Sequence, residues 1–156
     1  MIRLSRILLP TDFSPYSAEA TKYACAFAEK FDAELHLLHV LETHLSTTPE
    51  FAMGLALPTQ VKESRDVCEG ALATVLDTAW AQARRTKIVR TVVEGVPFVE
   101  IVRYGKDRNI DLIVLSTHGR SALAHVLVGS VAERVVRKAP CPVLTIRPEQ
   151  HQFVMP

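Results

Sequence analysis

The chain has 156 residues, 48% of them apolar, which suffices for one domain with a substantial core and no need of disulfides or a structural metal. Its 18 Lys and Arg against 17 Asp and Glu leave a net charge of +1, too weak a field to recruit nucleic acid or an anionic membrane. Three cysteines, Cys25, Cys68 and Cys141, show no CxxC spacing, which argues against a disulfide framework or a zinc site and fits a reducing cytoplasm.

The N-terminal run "MIRLSRILLPTDF" is broken by Pro10 and Asp12 too early for a signal-peptide core, and nothing approaches the roughly 20 apolar residues of a membrane-spanning helix. Ile7 to Leu9 is wholly apolar and reads as a strand buried on both faces. Ser14-Pro15 is an N-cap followed by proline at the first helical position, and Ala20, Ala24, Phe27, Ala28 and Phe31 then recur at helical spacing. "ELHLLHVL", Glu34 to Leu41, is a second strand. The stretch Glu42 to Thr59 is long for a connection and reads as a loop or a lid. Cys68, Leu72, Val75, Leu76, Ala79, Trp80 and Ala83 trace a helical stripe, and a β-branched strand starts at Lys87 and runs to about Val93. Pro97 opens a helix bearing Phe98, Ile101, Val102 and Gly105 on one face, followed by a strand from Asp111 to Ser116. A last helix near Ser130 to Lys138 and a strand from Val143 to Ile146 complete the series. Strands alternating with helices in this way predict an α/β fold with an open, five-stranded, mainly parallel sheet, since parallel neighbours need crossovers of about this length.

The segment "STHGRSALAHVLVGS", Ser116 to Ser130, leaves the fourth strand at the end where open α/β sheets bind ligands. Gly119 permits a backbone conformation or close approach that a side chain forbids, and Gly129-Ser130 precedes a helix whose unpaired N–H groups suit an anion. The same Ser130-Val131-Ala132-Glu133 also reads as a capping box, in which Ser130 satisfies one N–H and Glu133 reaches back. Neither GxxxxGK[ST] nor GxGxxG occurs, so the two readings stand side by side. Asp12, two residues before Ser14, suits either a ligand contact or the turn into the first helix. Ser116 and Thr117 suit ligand or local backbone.

"STHGRSALAHVLVGSVAERVVRKAPCPVLTIRP" closely resembles the C-terminal signature of the universal stress protein family, whose ATP-binding members carry Gly, two residues, Gly, nine residues, Gly and then Ser or Thr. Gly119, nine residues and Gly129-Ser130 match its second half, and Ser116 stands in place of its first glycine. A left-handed backbone at Ser116 would cost roughly 1–2 kcal/mol, and an extended one nothing. "RILLPTDFSPYSAEAT" and "LHLLHV" resemble the family's first and second strands, so the similarity spans almost the whole chain.

The resemblance implies strand order 3-2-1-4-5 and an adenine-nucleotide pocket at the carboxyl ends of the first and fourth strands, within one domain over residues 1–147 and a tail over 148–156. Carried over by position, Pro10, Thr11 and Asp12 flank adenine and ribose, and Val40 meets the adenine. Ser116, Thr117, His118 and Gly119 line the ribose and phosphate side, while Gly129, Ser130 and Val131 hold the phosphates. ATP is the implied ligand, with magnesium near Asp12. The apolar last strand, Val143, Leu144, Thr145 and Ile146, can be protected at a sheet edge by pairing with its copy, and the resemblance implies a homodimer through it.

Catalytic signals are weak. His36 and His39 lie three apart on a strand and face opposite ways, HExxH and GxSxG do not occur, and Cys141 between two prolines reads as structural. Without a recognisable base or nucleophile beside His118, the chain is expected to be a binding module of the stress response, at most a slow ATP hydrolase. The alternatives are a nucleotide-free dimeric interaction protein and a nucleotide-using enzyme with its substrate under the Glu42–Thr59 loop.

Overall fold

The computed structural model describes residues 2–42, 58–76, 81, 87–117 and 129–147, with side chains in the second segment from residue 64 onward. The elements run β1 (Arg6–Pro10), α1 (Pro15–Phe31), β2 (Glu34–Glu42), α2 (Pro58–Ala73), β3 (Ile88–Gly95), α3 (Pro97–Asp107), β4 (Leu112–Ser116), α4 (Ser130–Lys138) and β5 (Val143–Ile146). All pairings are parallel and the order is β3-β2-β1-β4-β5, as expected. The chain winds outward from β1 to β3, then returns to place β4 on the other side of β1. That reversal opens a crevice at the carboxyl ends of β1 and β4.

Both faces of the sheet are covered, which is why Ile7, Leu8 and Leu9 are fully buried in an unbroken apolar run. Ile7, Leu9, Leu35, Leu37 and Val114 pack towards α1 and α2, where Ala20, Ala24 and Ala28 recur every four residues and bring α1 close to the strands. Leu8, Leu38, Val40, Ile113 and Leu115 pack against Ile101 and Tyr104 of α3 and Ala132 and Val135 of α4. The stripe expected from Cys68 to Ala83 is interrupted: α2 ends at Ala73, and Val75 and Leu76 sit in the following turn. Leu76 nevertheless remains in the core, so burial rather than helical continuity explains its apolar character. Ala79, Trp80 and Ala83 lie outside the described residues.

At the amino ends the strands are tied by a carboxylate. Asp111 Oδ2 accepts from the N–H groups of Ser5 and Arg6 at 2.7 and 2.9 Å. Deeper in, His36 Nδ1 lies 2.9 Å from the Tyr104 hydroxyl, itself 3.2 Å from Thr91 Oγ1. His36 Nε2 lies 3.3 Å from Glu34 Oε1 without hydrogen-bond geometry, leaving that nitrogen buried and unsatisfied among the described residues. Burial, partly offset by Glu34, lowers the His36 pKa, and Arg108, Arg6 and Lys87 push the same way as burial. Cys141 is raised by burial and then by Asp111, although a backbone hydrogen bond at Ile113 opposes the shift. The net direction suits the structural reading of that thiol. No helix among the described residues is long and apolar enough to cross a membrane.

Candidate functional site

The crevice at the carboxyl ends holds a cavity of about 370 Å³. Its walls come from the ends of β1, β2 and β4, the start of α4, and the Ser64 and Cys68 side of α2. The size falls in the range of small-molecule sites, and the lining mixes aliphatic side chains with a few polar groups, as such sites do.

The β1–α1 turn forms the first wall. Thr11 N–H donates to Leu38 O at 2.9 Å, while His39 Nδ1 lies 2.8 Å from Thr11 O. A carbonyl only accepts, so the His39 proton sits on Nδ1. Within the turn, Phe13 N–H donates to Thr11 Oγ1 at 3.1 Å, and Ser17 Oγ donates to Ser14 O at 2.8 Å. The Thr11 Oγ1 and Ser17 Oγ pair at 3.1 Å is therefore donated by Thr11, and both hydroxyls are committed. Asp12 Oδ1 accepts from Ser14 N–H at 3.0 Å, and Ser14 caps α1 through Ser17 N–H as its sequence signal indicates. Asp12 thus shapes the turn and lines the cavity, fulfilling one of its two anticipated roles outright. Phe13 takes φ +63°, a left-handed conformation costing roughly 1–2 kcal/mol in a bulky residue. Its ring stacks on His39 at 4.3 Å.

The β4–α4 side forms the second wall. Ser116 is the last residue of β4 and is absent from the left-handed residues, so its extended backbone carries no penalty for lacking glycine. Thr117 N–H donates to Ile146 O at 2.9 Å, and the hydroxyls of Ser116 and Thr117 reach the same carbonyl at 3.5 and 3.4 Å. Gly129 N–H donates to Thr117 O at 2.6 Å.

The anticipated capping box is not formed. Gly129, extended at φ −63° and ψ 150°, is the N-cap, Ser130 is the first helical residue, and no side chain among the described residues caps the helix. The physical reason is tertiary: the Thr117 carbonyl fixes the approach of the chain one residue earlier than the local pattern implied. The first intrahelical bond runs from Glu133 N–H to Gly129 O. The N–H groups of Ser130, Val131 and Ala132 precede it without intrahelical acceptors, and these three residues line the cavity.

Pro10, Thr11, Asp12, Val40, Ser116, Thr117, Gly129, Ser130 and Val131 all line this one cavity, although they come from distant parts of the chain. His118 and Gly119 lie outside the described residues, as does residues 43–57 of the long connection. Sequence reasoning missed His39, Ser17 and Glu42 in the lining, and Ile101 and Leu115 in the apolar wall. His39 is one of two histidines in β2, so its polarity does not single it out in sequence, and Ile101 becomes a site residue only when α3 folds over the sheet. His36 and His39 do face opposite sides, towards Tyr104 and Phe13 respectively. The arrangement offers an apolar slot, a carboxylate, and a helix N-terminus able to receive an anion.

A family model described as "Universal stress protein family" matches residues 4–147. The universal stress protein MJ0531 of Methanocaldococcus jannaschii is 36% identical over 143 residues, spanning 91% of this chain and 81% of its own length. Universal stress protein UspA from Lactobacillus plantarum superposes with a TM-score of 0.76 at 29% identity, covering 94% of this chain and 100% of that one. Two more distant structures share the fold. A universal stress protein in complex with cAMP has TM-score 0.66 at 22% identity, covering 94% and 98% of the two chains. One from Archaeoglobus fulgidus in complex with dAMP has TM-score 0.58 at 18% identity, covering 93% and 98%.

Proposed function

Because the chain belongs to the universal stress protein family, we propose that it binds ATP or a related adenine nucleotide in the carboxyl-end cavity and acts as a regulatory module of the stress response. The observation that carries this reading is that nine of the residues the resemblance implies, from distant parts of the chain, line one cavity together with a helix N-terminus. Pro10 and Val40 would bound the adenine, and Asp12 the ribose. Ser116, Thr117, His118 and Gly119 would follow the ribose and phosphates, which end on Gly129, Ser130 and Val131. One helix terminus contributes only about 0.3–1 kcal/mol at an exposed site, so several N–H groups must act together. A magnesium ion arriving with the nucleotide fits Asp12 as a single carboxylate ligand, with phosphate and water oxygens completing its shell. Hydrolysis is expected to be slow, since the sequence offers no recognisable base or nucleophile for the phosphates. Calorimetric titration with ATP and magnesium tests the reading: saturable binding is expected, and its absence would leave the nucleotide-free interaction module.

A second function of the same chain is supported by β5. It is an edge strand whose Val143, Leu144 and Thr145 are only half-buried, and we propose homodimerisation through it. Leu144 and Ile146 pack on the core, so a charge at either would damage the fold and is a poor test of the edge. The carbonyls of Pro142 and Ile146 bond to β4, so Val143 and Thr145 present their backbone groups outward. Thr145→Pro removes an outward N–H while sparing the sheet, and sedimentation should then show a folded monomer. A folded variant that sediments as an undiminished dimer would refute the edge.

A further inference from the structure

We infer that His39 is a positioning residue of the nucleotide site: its Nδ1–H and its ring face hold the Thr11–Phe13 turn in the conformation that presents Asp12 to the cavity. This rests on the nucleotide reading above for its purpose, though not for its geometry.

Three observations converge on His39. Its Nδ1 proton is given to Thr11 O at 2.8 Å, beside the ladder bond from Thr11 N–H to Leu38 O at 2.9 Å, so Thr11 is gripped through both backbone groups. Its ring stacks on Phe13 at 4.3 Å with an interplanar angle of 28°. Phe13 is held at φ +63°, a conformation that a bulky side chain keeps only where its surroundings over-determine it. Asp12 lies between these two anchored residues, and its Oδ1 closes onto Ser14 N–H. Only 6% of His39 is exposed, so its donor cannot be replaced by bulk water without opening the strand. The histidine therefore acts through Thr11 and Phe13 rather than through the ligand. It converts a turn that the backbone disfavours into a fixed wall, so that binding does not have to order it.

Two substitutions separate the parts of the anchor. His39→Phe keeps a ring against Phe13 and removes the donor; His39→Asn places an amide N–H where Nδ1 stands and removes the ring. In His39→Phe, adenosine and ATP affinities are expected to fall together by about tenfold, the scale of one lost hydrogen bond to a buried carbonyl. Amide exchange at Phe13 and Ser14 should quicken while Leu37 in the core stays protected. His39→Asn should restore affinity to within about threefold and restore the exchange pattern. Unchanged affinity and exchange in His39→Phe, or an Asn variant as impaired as the Phe variant, would overturn the anchor. A wild-type chain that binds no nucleotide would end the functional reading, and the exchange comparison would still decide the anchor. Should His39→Phe fail to fold, long-range nitrogen–proton spectra of the wild type decide it: a proton fixed on Nδ1 supports the anchor, and one on Nε2 overturns it.

Discussion

At the amino ends of β1 and β4, Asp111 accepts from Ser5 and Arg6 N–H at 2.7 and 2.9 Å, and deeper in His36 of β2 pairs with Tyr104 of α3. At the carboxyl ends of the same strands, Ser130, Val131 and Ala132 at the start of α4 line a cavity of about 370 Å³, and no side chain among the described residues caps their N–H groups. One end uses side chains to tie backbone groups together, and the other presents helix-start donors that no side chain among the described residues caps. Two ends of one sheet thus divide the work, with stability at the first and recognition at the second. Even within the cavity the division recurs, because the β1–α1 wall is internally hydrogen-bonded, whereas the first N–H groups of α4 have no intrahelical acceptors.

The largest effect expected from this contrast is at Ser130. Ser130→Asp puts a carboxylate where phosphates are proposed to sit, and charge repulsion at this exposed helix start should weaken ATP binding by about tenfold or more. An acidic residue in the first turn suits the helix dipole, so thermal stability should hold or rise slightly, by about 0.3–1 kcal/mol. Binding that survives the substitution would remove the phosphates from α4.

Asp111→Ala should do the reverse. It deprives two strand-end N–H groups of their acceptor, and a loss of about 1–2 kcal/mol in denaturant unfolding is expected with nucleotide affinity unchanged. A matching fall in affinity would show that the two ends are coupled. The mildest expected effect comes from His36. Its folded pKa lies below its ordinary value of 6.5, so unfolded chains take up a proton that folded chains refuse. Its contribution to stability is therefore complete above that value and declines as pH falls below it, towards the lowered folded pKa. Unfolding measured at neutral and mildly acidic pH should show this decline, and His36→Gln should shrink it. A decline of equal size in that variant would assign it to other groups.

Much of the fold was legible because its signals are local. The apolar run of β1, the Ser14-Pro15 cap and the β-branched strand β3 each depend on a few neighbouring residues. The limits of α4 and β5 match the sequence reading to the residue. Errors arose where distant contacts decide. The N-cap of α4 falls on Gly129 rather than Ser130, where Gly129 N–H answers to Thr117 O, and Leu76 is core without being helical. The site was half legible. Pro10, Asp12, Val40 and Ser130 came from resemblance, and their convergence is geometry that periodicity could not supply. A strand histidine such as His39 has many ordinary explanations in sequence, and only the left-handed Phe13 stacked on it singles it out.

The most direct measurement follows the amide resonances of the wild-type protein as ATP and magnesium are added. Saturable shifts concentrated at Ser130, Val131, Ala132, Asp12 and Val40, with Ser5, Arg6 and Tyr104 unmoved, are the predicted result. Shifts confined to the amino end, or none that saturate, would contradict the assignment of recognition to the carboxyl-end cavity.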